Sequence, residues 1–316
     1  MKISLRQLEY VVAASRHGSI SGAASALNIS TSSILAAIDK FEEEFGIQVF
    51  LRQRSKGLQA TLAGKRAIAR TIRLLDETND YAQEMHGSDS LLRGEVFVGS
   101  FTSISPNIAP QVIRDLRTAH PELTVHLIEG DIVSVQNSLR DGTVDVLLTY
   151  DVGLWEEFNS EVLMNAPPHV VLAENDPLAN QELISLSDLT DYPLLLLNLP
   201  RSGNYALWIF ERAGVKPGPI QRLESFEMVR AAAAAGLGAA ILNIRPPSDM
   251  TYSGLRVACR PLAESEPSPN IVLATRSGSP VSRRAEVFSE FCRRFFQTPA
   301  AESLFVRQAA PHRTET

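Results

Sequence analysis

Cysteine is nearly absent from this chain. Cys259 and Cys292 are the only two in 316 residues, too few for a disulfide framework. Neither sits in a CxxC pair or beside a basic cluster, so both read as small hydrophobes rather than redox centres. Long apolar runs are missing too. No stretch of eighteen apolar residues occurs, which excludes a membrane-spanning helix on length alone. The opening segment "MKISLRQLEYVVAASRHGSIS" has only a short, interrupted apolar stretch and no small-residue cleavage site after it. A cytoplasmic protein with no membrane partner is the expectation. His17, His86, His120, His126, His169 and His312 show no HxH or HExxH spacing, so no metal site is expected. GxSxG does not occur, and "GLGAAI" lacks the third glycine of a dinucleotide loop. No cofactor and no catalytic role are expected.

What is present is ordinary globular composition, 44% apolar and 21% charged, long enough for two or three units. The net charge of −6 conceals an asymmetry. Residues 1–75 carry 11 Lys/Arg against 5 Asp/Glu, and residues 76–316 carry 19 against 31. A basic head on an acidic body places any polyanion at the head alone.

Spacing divides the chain further. Leu5, Leu8, Tyr10, Val11 and Val12 form the apolar stripe of a helix ending near Gly18. Ser19 or Ser21 caps a short second helix from Gly22 to Leu27, and Asn28 suits the tight turn that follows. Ser30 caps a third helix running to about Phe45, with Ile34, Ile38, Phe41 and Phe45 on one face and Gly46 after it. "GIQVFLRQRSKGLQAT" reads as a small β-wing with basic turn residues. From Thr61 to about Gly87 one long helix is expected, with Ile68, Ile72, Leu75, Asn79 and Ala82 spaced as a coiled-coil seam between two copies. Beyond Arg93 strands and helices alternate through "EVFVGSF", "LTVHLI", "VDVLLT", "PHVVLA", "PLLLLN", "AAILN" and "NIVLAT", an α/β pattern. A closing helix begins at Ser279–Pro280. Residues 298–316 are polar and without pattern, and a frayed tail is expected there.

From end to end the chain resembles the LysR-type transcriptional regulators. The likeness rests on "LRQLEYVVAASRHGSISGAASALNIS", "IDKFEEEFGIQVFLR", "LIEGDIVSVQNSLRDGTVDVLLT", "ENDPLANQELISLSDLTDYPLLLL" and "SFEMVRAAAAAGLGAAIL", in that order. The resemblance implies a winged helix-turn-helix over 1–58, a dimerising linker helix over 59–87, a hinge at 88–93 and a two-lobed α/β domain over 94–297. Lobe I would hold about 94–163 and 267–297, and lobe II about 164–266. Those lobes would resemble periplasmic solute-binding proteins and close on a small molecule. The family pattern also implies a homodimer pairing into a homotetramer, with RNA polymerase a possible further partner. Thr31 and Ser32 stand where the family commonly has Gln and Pro, Ala36 and Ala37 where it often carries polar or basic side chains, and Asn243 where it usually has Pro.

Those departures bear on how bases are read. Donors and acceptors on the first turn of the third helix come from Ser30, Thr31, Ser32 and Ser33 alone. Lys40 and the wing cations Arg52, Arg54 and Lys56 would anchor phosphates, leaving sequence discrimination to DNA shape and paired half-sites. A solute-sensing protein with little specific DNA binding is the rival reading. By family position, the effector would meet Ser100, Thr102, Ser103, Thr149 and Asn198 as polar contacts and Phe101 and Phe226 as walls. Arg201 would hold a carboxylate, if the ligand is anionic.

Overall fold

Serine side chains open all three helices of the head. Ser4, Ser19 and Ser30 accept hydrogen bonds from Gln7, Gly22 and Ser33 amides at the starts of α1 (Leu5–His17), α2 (Ile20–Leu27) and α3 (Thr31–Phe45). Each such cap is worth about 1 kcal/mol. Gly18, Asn28 and Gly46 end the same helices in the left-handed conformation, Asn28 with φ 52°. The structure, a computed structural model, describes residues 2–53, 57–85, 92–200, 202–264, 267–278 and 280–307.

Leu8, Val11, Ile34, Ile38 and Phe41 close the head's core. Strands β1 (Phe50–Gln53) and β2 (Gly57–Ala60) pair antiparallel as the wing. The wing is seated on the end of α1: Leu58 N–H donates to the Gly18 carbonyl at 2.8 Å. A Cβ on Gly57 would lie 2.5 Å from that same oxygen, so this position takes only glycine.

Helix α4 (Leu62–Met85) follows, with Thr61 Oγ1 accepting from Gly64 N–H at 2.8 Å. Here the seam expectation needs correction. Ile68 and Ile72 are 6% and 8% exposed and sit in the head's own core, with Leu75 packed against it. The 4,3 spacing is real, but its near half is covered by α1 rather than by a second copy. Ala82 is exposed, and the Asn79 side chain lies outside the described residues.

Lobe I follows the head. It contains β3 (Gly94–Phe101), α5 (Ser105–Ala119), β4 (Leu123–Gly130), α6 (Ile132–Arg140), β5 (Val146–Tyr150) and β6 (Phe158–Asn165). The chain then enters lobe II through β7 (His169–Ala173), β8 (Leu194–Leu197), α7 (Ser202–Arg212), β9 (Ile220–Leu223), α8 (Phe226–Ala234), β10 (Ala240–Leu242) and β11 (Val257–Pro261). It returns to lobe I with β12 (Asn270–Arg276), α9 (Arg283–Phe296) and α10 (Pro299–Glu302). The lobe I sheet runs β4-β3-β5-β12-β6. Strands β3, β4 and β5 are parallel, and β12 is antiparallel to both neighbours. Lobe II has β10-β7-β11 and β8-β9, bridged at Leu194–Ala239.

The frayed tail expected beyond residue 297 is also corrected, as far as residue 307. Ala301, Leu304 (1% exposed) and Phe305 are buried in the lobe I core beside Ile244. The Arg245 amide donates to the Leu304 carbonyl at 2.7 Å. This segment therefore links lobe I to the loop that leaves β10. Residues 308–316 lie outside the described residues.

Candidate DNA-contacting surface and effector cleft

The head presents the first turn of α3 to solvent. Ser30, Thr31 and Ser32 are exposed and Ser33 is half-buried. Ser30 Oγ lies 2.8 Å from both the Ser32 and Ser33 hydroxyls. Three of the four hydroxyls thus form one cluster, while Thr31 stands outside those bonds. Ala36 is exposed on the same face. Ala37 is 1% exposed and belongs to the core, so of the two methyls noted in the sequence only the Ala36 methyl faces outward.

Lys40 does not project from this surface as expected. Half-buried, it donates to Gln7 Oε1 at 3.0 Å, and Gln7 completes the capping box of α1. The ammonium therefore ties α3 to α1. Asp39, Glu43 and Glu44 occupy exposed positions on the C-terminal half of α3. Glu42 instead accepts from the Val49 and Phe50 amides, fixing the start of the wing. Along α3, hydroxyls therefore lie at the N-terminal turn and carboxylates on the C-terminal half. Arg52 lies on β1 opposite Leu58. Arg54 and Lys56 lie outside the described residues.

The head rests on lobe I through ion pairs. Arg16 meets Glu95 at 2.8 Å, Arg66 meets Asp141 at 2.6 Å, and Arg73 is paired with Asp145. Asp145 also accepts from the Phe97 amide at 2.9 Å, and the Phe97 ring packs against the head core. Burial pulls the Arg73 guanidinium below its ordinary range, and Asp145 opposes that pull.

Between the lobes lies a small cleft. Phe101, Ser103 and Phe226 line it, as expected from the sequence. Several expected residues take other places. Ser100 and Thr149 are fully buried in β3 and β5 and are not part of the lining. The Thr102 amide donates to the Gly130 carbonyl, and its side chain is not part of the lining. Asn198 is exposed and accepts from Arg222 at 3.3 Å. Arg201 lies outside the described residues.

Among the lining residues that were not anticipated are Tyr150, Tyr205, Asn243 and Ile132. Burial pushes the Tyr150 phenol far above its ordinary range, and the Ser103 hydroxyl bonds to it. Asn243 Nδ2 donates to the Ala166 carbonyl at 2.9 Å and lies 3.4 Å from the Tyr205 hydroxyl. Tyr205 donates to the Pro267 carbonyl at 3.3 Å. Ala166 and Pro267 belong to the two segments that join the lobes. Two of the polar groups facing the cleft, Asn243 and Tyr205, are therefore also the groups that hold the crossovers. The replacement of a customary proline by Asn243 was the one signal in the sequence.

Comparison with known proteins agrees with this architecture. The family model described as "Bacterial regulatory helix-turn-helix protein, lysR family" matches residues 5–65, and that for the "LysR substrate binding domain" matches residues 89–297. The hydrogen peroxide-inducible genes activator of Dickeya chrysanthemi is 27% identical over 297 residues, covering 93% of this chain and 96% of that protein. Among solved structures, HinK, a LysR family transcriptional regulator from Pseudomonas aeruginosa, is 30% identical. It covers 93% of this chain and 99% of its own, with a TM-score of 0.62. A full-length OxyR variant from Pseudomonas aeruginosa shares the fold at a TM-score of 0.69 and 22% identity, over 92% of this chain and 98% of its own. The chain therefore belongs to the LysR family of DNA-binding transcriptional regulators.

Proposed function

We propose that this regulator grips promoter DNA with the first turn of α3 and the wing, and senses a small molecule between its lobes. The observation that carries the reading is the charge division within α3. Hydroxyls lie at its start, and carboxylates occupy its C-terminal half. Ser30, Thr31, Ser32 and Ser33 contact phosphates and base edges, and Arg52, Arg54 and Lys56 reach phosphates from the wing. DNA shape and paired half-sites supply the rest of the specificity.

Pairing of half-sites requires at least a dimer. An apolar groove lined by Leu8, Phe41, Phe45, Ile47, Ala67 and Leu74 lies between the head and α4, and a second copy covers it. Two dimers joining through their lobes give the tetramer, which acts in the cytoplasm and contacts RNA polymerase when bound upstream of a promoter. The domain limits follow those of the sequence, with 298–307 added to lobe I.

The wing's part is tested by salt. Replacing Arg52 and Arg54 with alanine lowers the slope of log affinity against log salt by about 2, one unit for each phosphate that is no longer neutralised. Fluorescence anisotropy on the intergenic duplex beside the gene measures it, and an unchanged slope removes the wing from the interface.

The peroxide response named for several relatives does not extend to this chain. A thiol that senses peroxide must be accessible and ionised. Burial pushes the Cys259 thiol up to about 11 and the fully buried Cys292 thiol higher still. The two lie on β11 of lobe II and α9 of lobe I. Submillimolar peroxide should leave DNA affinity and footprint unchanged. A peroxide-dependent shift abolished by Cys259→Ser would refute this.

A further inference from the structure

We infer that the molecule taken by the interlobe cleft is a small uncharged ring compound that carries a single hydrogen-bonding substituent. The inference rests on the proposal above that this cleft is the effector site, and it names the chemical class of the occupant.

Three observations converge. The first is the lining. Phe101, Ile132, Phe226, Ile241 and Ile244 supply apolar and ring surface, and the polar contribution comes from Ser103, Tyr150, Tyr205 and Asn243. All four are neutral, and no arginine, lysine or histidine lines the cleft among the described residues. The second is the surrounding charge. Asp131, one residue before Ile132, accepts the Val133 and Ser134 amides at 2.9 and 3.0 Å. Asp151, between Tyr150 and Val152, accepts the Asn270 amide and side chain at 2.9 and 2.8 Å. The amides at the start of α6 that could have met an anion are thus occupied by a carboxylate of the chain itself. A carboxylate in the cleft would meet only neutral donors among the described residues and would be repelled from the lobe I side.

The third observation is the start of α5. Pro106 has no N–H, the Ile104 amide donates to the Phe101 carbonyl, and the Asn107 amide donates to the Ile104 carbonyl. That helix end offers little to a negative group. A cation fares no better. The nearby carboxylates are already engaged by amides, and the lining itself presents no acid. A neutral ring, by contrast, stacks on Phe101 and Phe226 and places one substituent among four groups able both to donate and to accept.

The placement of those groups explains how occupancy is transmitted. Asn243 and Tyr205 hold the Ala166 and Pro267 carbonyls of the two crossovers. A substituent that bonds either side chain competes with a crossover carbonyl and shifts the preferred angle between lobes.

Calorimetric titration of the full chain with benzamide, benzoate and benzylamine, up to millimolar concentration, tests the class. These share a ring and differ in charge. The expected result is benzamide binding at least about tenfold tighter than either charged probe. Tyr150→Phe should weaken it, and Ile241→Trp, which fills the cleft, should abolish it. Should the tryptophan variant fail to fold, the conservative phenylalanine variant carries the localisation. Benzoate or benzylamine binding as tightly, and losing affinity in the same variants, overturns the uncharged class and leaves the effector cleft standing. Failure of all three to bind a chain that still grips duplex DNA overturns both the class and the effector reading of this cleft.

Discussion

Placing a glutamate at Ala37 should unfold the head, whereas placing one at Ala36 should leave the fold intact and remove DNA binding. Ala37 is 1% exposed and packs among Val11, Ile34 and Ile38. A carboxylate there would be buried without a partner, at a cost of about 4 kcal/mol or more. Ala36, one position earlier, is exposed beside Ser32, and a surface substitution of this kind changes stability by about 0.5 kcal/mol or less. Its charge would nevertheless face the duplex and weaken binding by about tenfold or more. Circular dichroism melts and anisotropy titrations on the two variants separate these outcomes. Equal stability, or intact DNA binding by Ala36→Glu, would place another face of α3 against the groove.

The two alanines show where the sequence was legible and where it stopped. Helix ends were readable because a serine before an apolar stripe, or Asn28 and Gly18 after one, has a local physical cause. Which of two adjacent methyls faces inward depends on the phase of the whole helix against α1, which no short window contains. The same limit misassigned Ile68 and Ile72. Their 4,3 spacing defines a stripe but not what covers it.

Strands β6 and β9 escaped notice for a different reason. Both are sheet edges with mostly exposed side chains, so they lack the buried run that marks β5 or β7. The closing segment held only three buried apolar residues, Ala301, Leu304 and Phe305, too few to set a period. In the cleft, family position found Phe101, Ser103 and Phe226. It passed over Tyr150 and Tyr205, which line one cleft only once both lobes are assembled.

The second large effect concerns the pair that fixes α4 to lobe I. Arg73→Ala should destabilise the chain by about 3 kcal/mol or more, because Asp145 keeps its charge in a site that is nearly closed to solvent. The Phe97 amide would still donate to that carboxylate. Asp145→Asn should cost less, since it removes the charge together with its partner's attraction. The double substitution should fall well short of the sum, with a coupling of about 1 kcal/mol or more. Denaturant unfolding of the four proteins measures this cycle. Strict additivity would show that the head is held by apolar contacts such as Phe97 alone.

These two pairs of variants bear on one physical division. The head carries the surplus of positive charge, α3 offers its N-terminal turn, and the lobes carry a surplus of negative charge around a neutral cleft. A ligand changes DNA engagement only through the difference in its affinity for the two lobe arrangements. The most direct test is the affinity of the full chain for the flanking intergenic duplex, followed by anisotropy as salt is raised. The expected result is tight binding in dilute buffer that falls about a thousandfold or more between about 50 and 200 mM salt. No association in dilute buffer, or an affinity indifferent to salt, would contradict it.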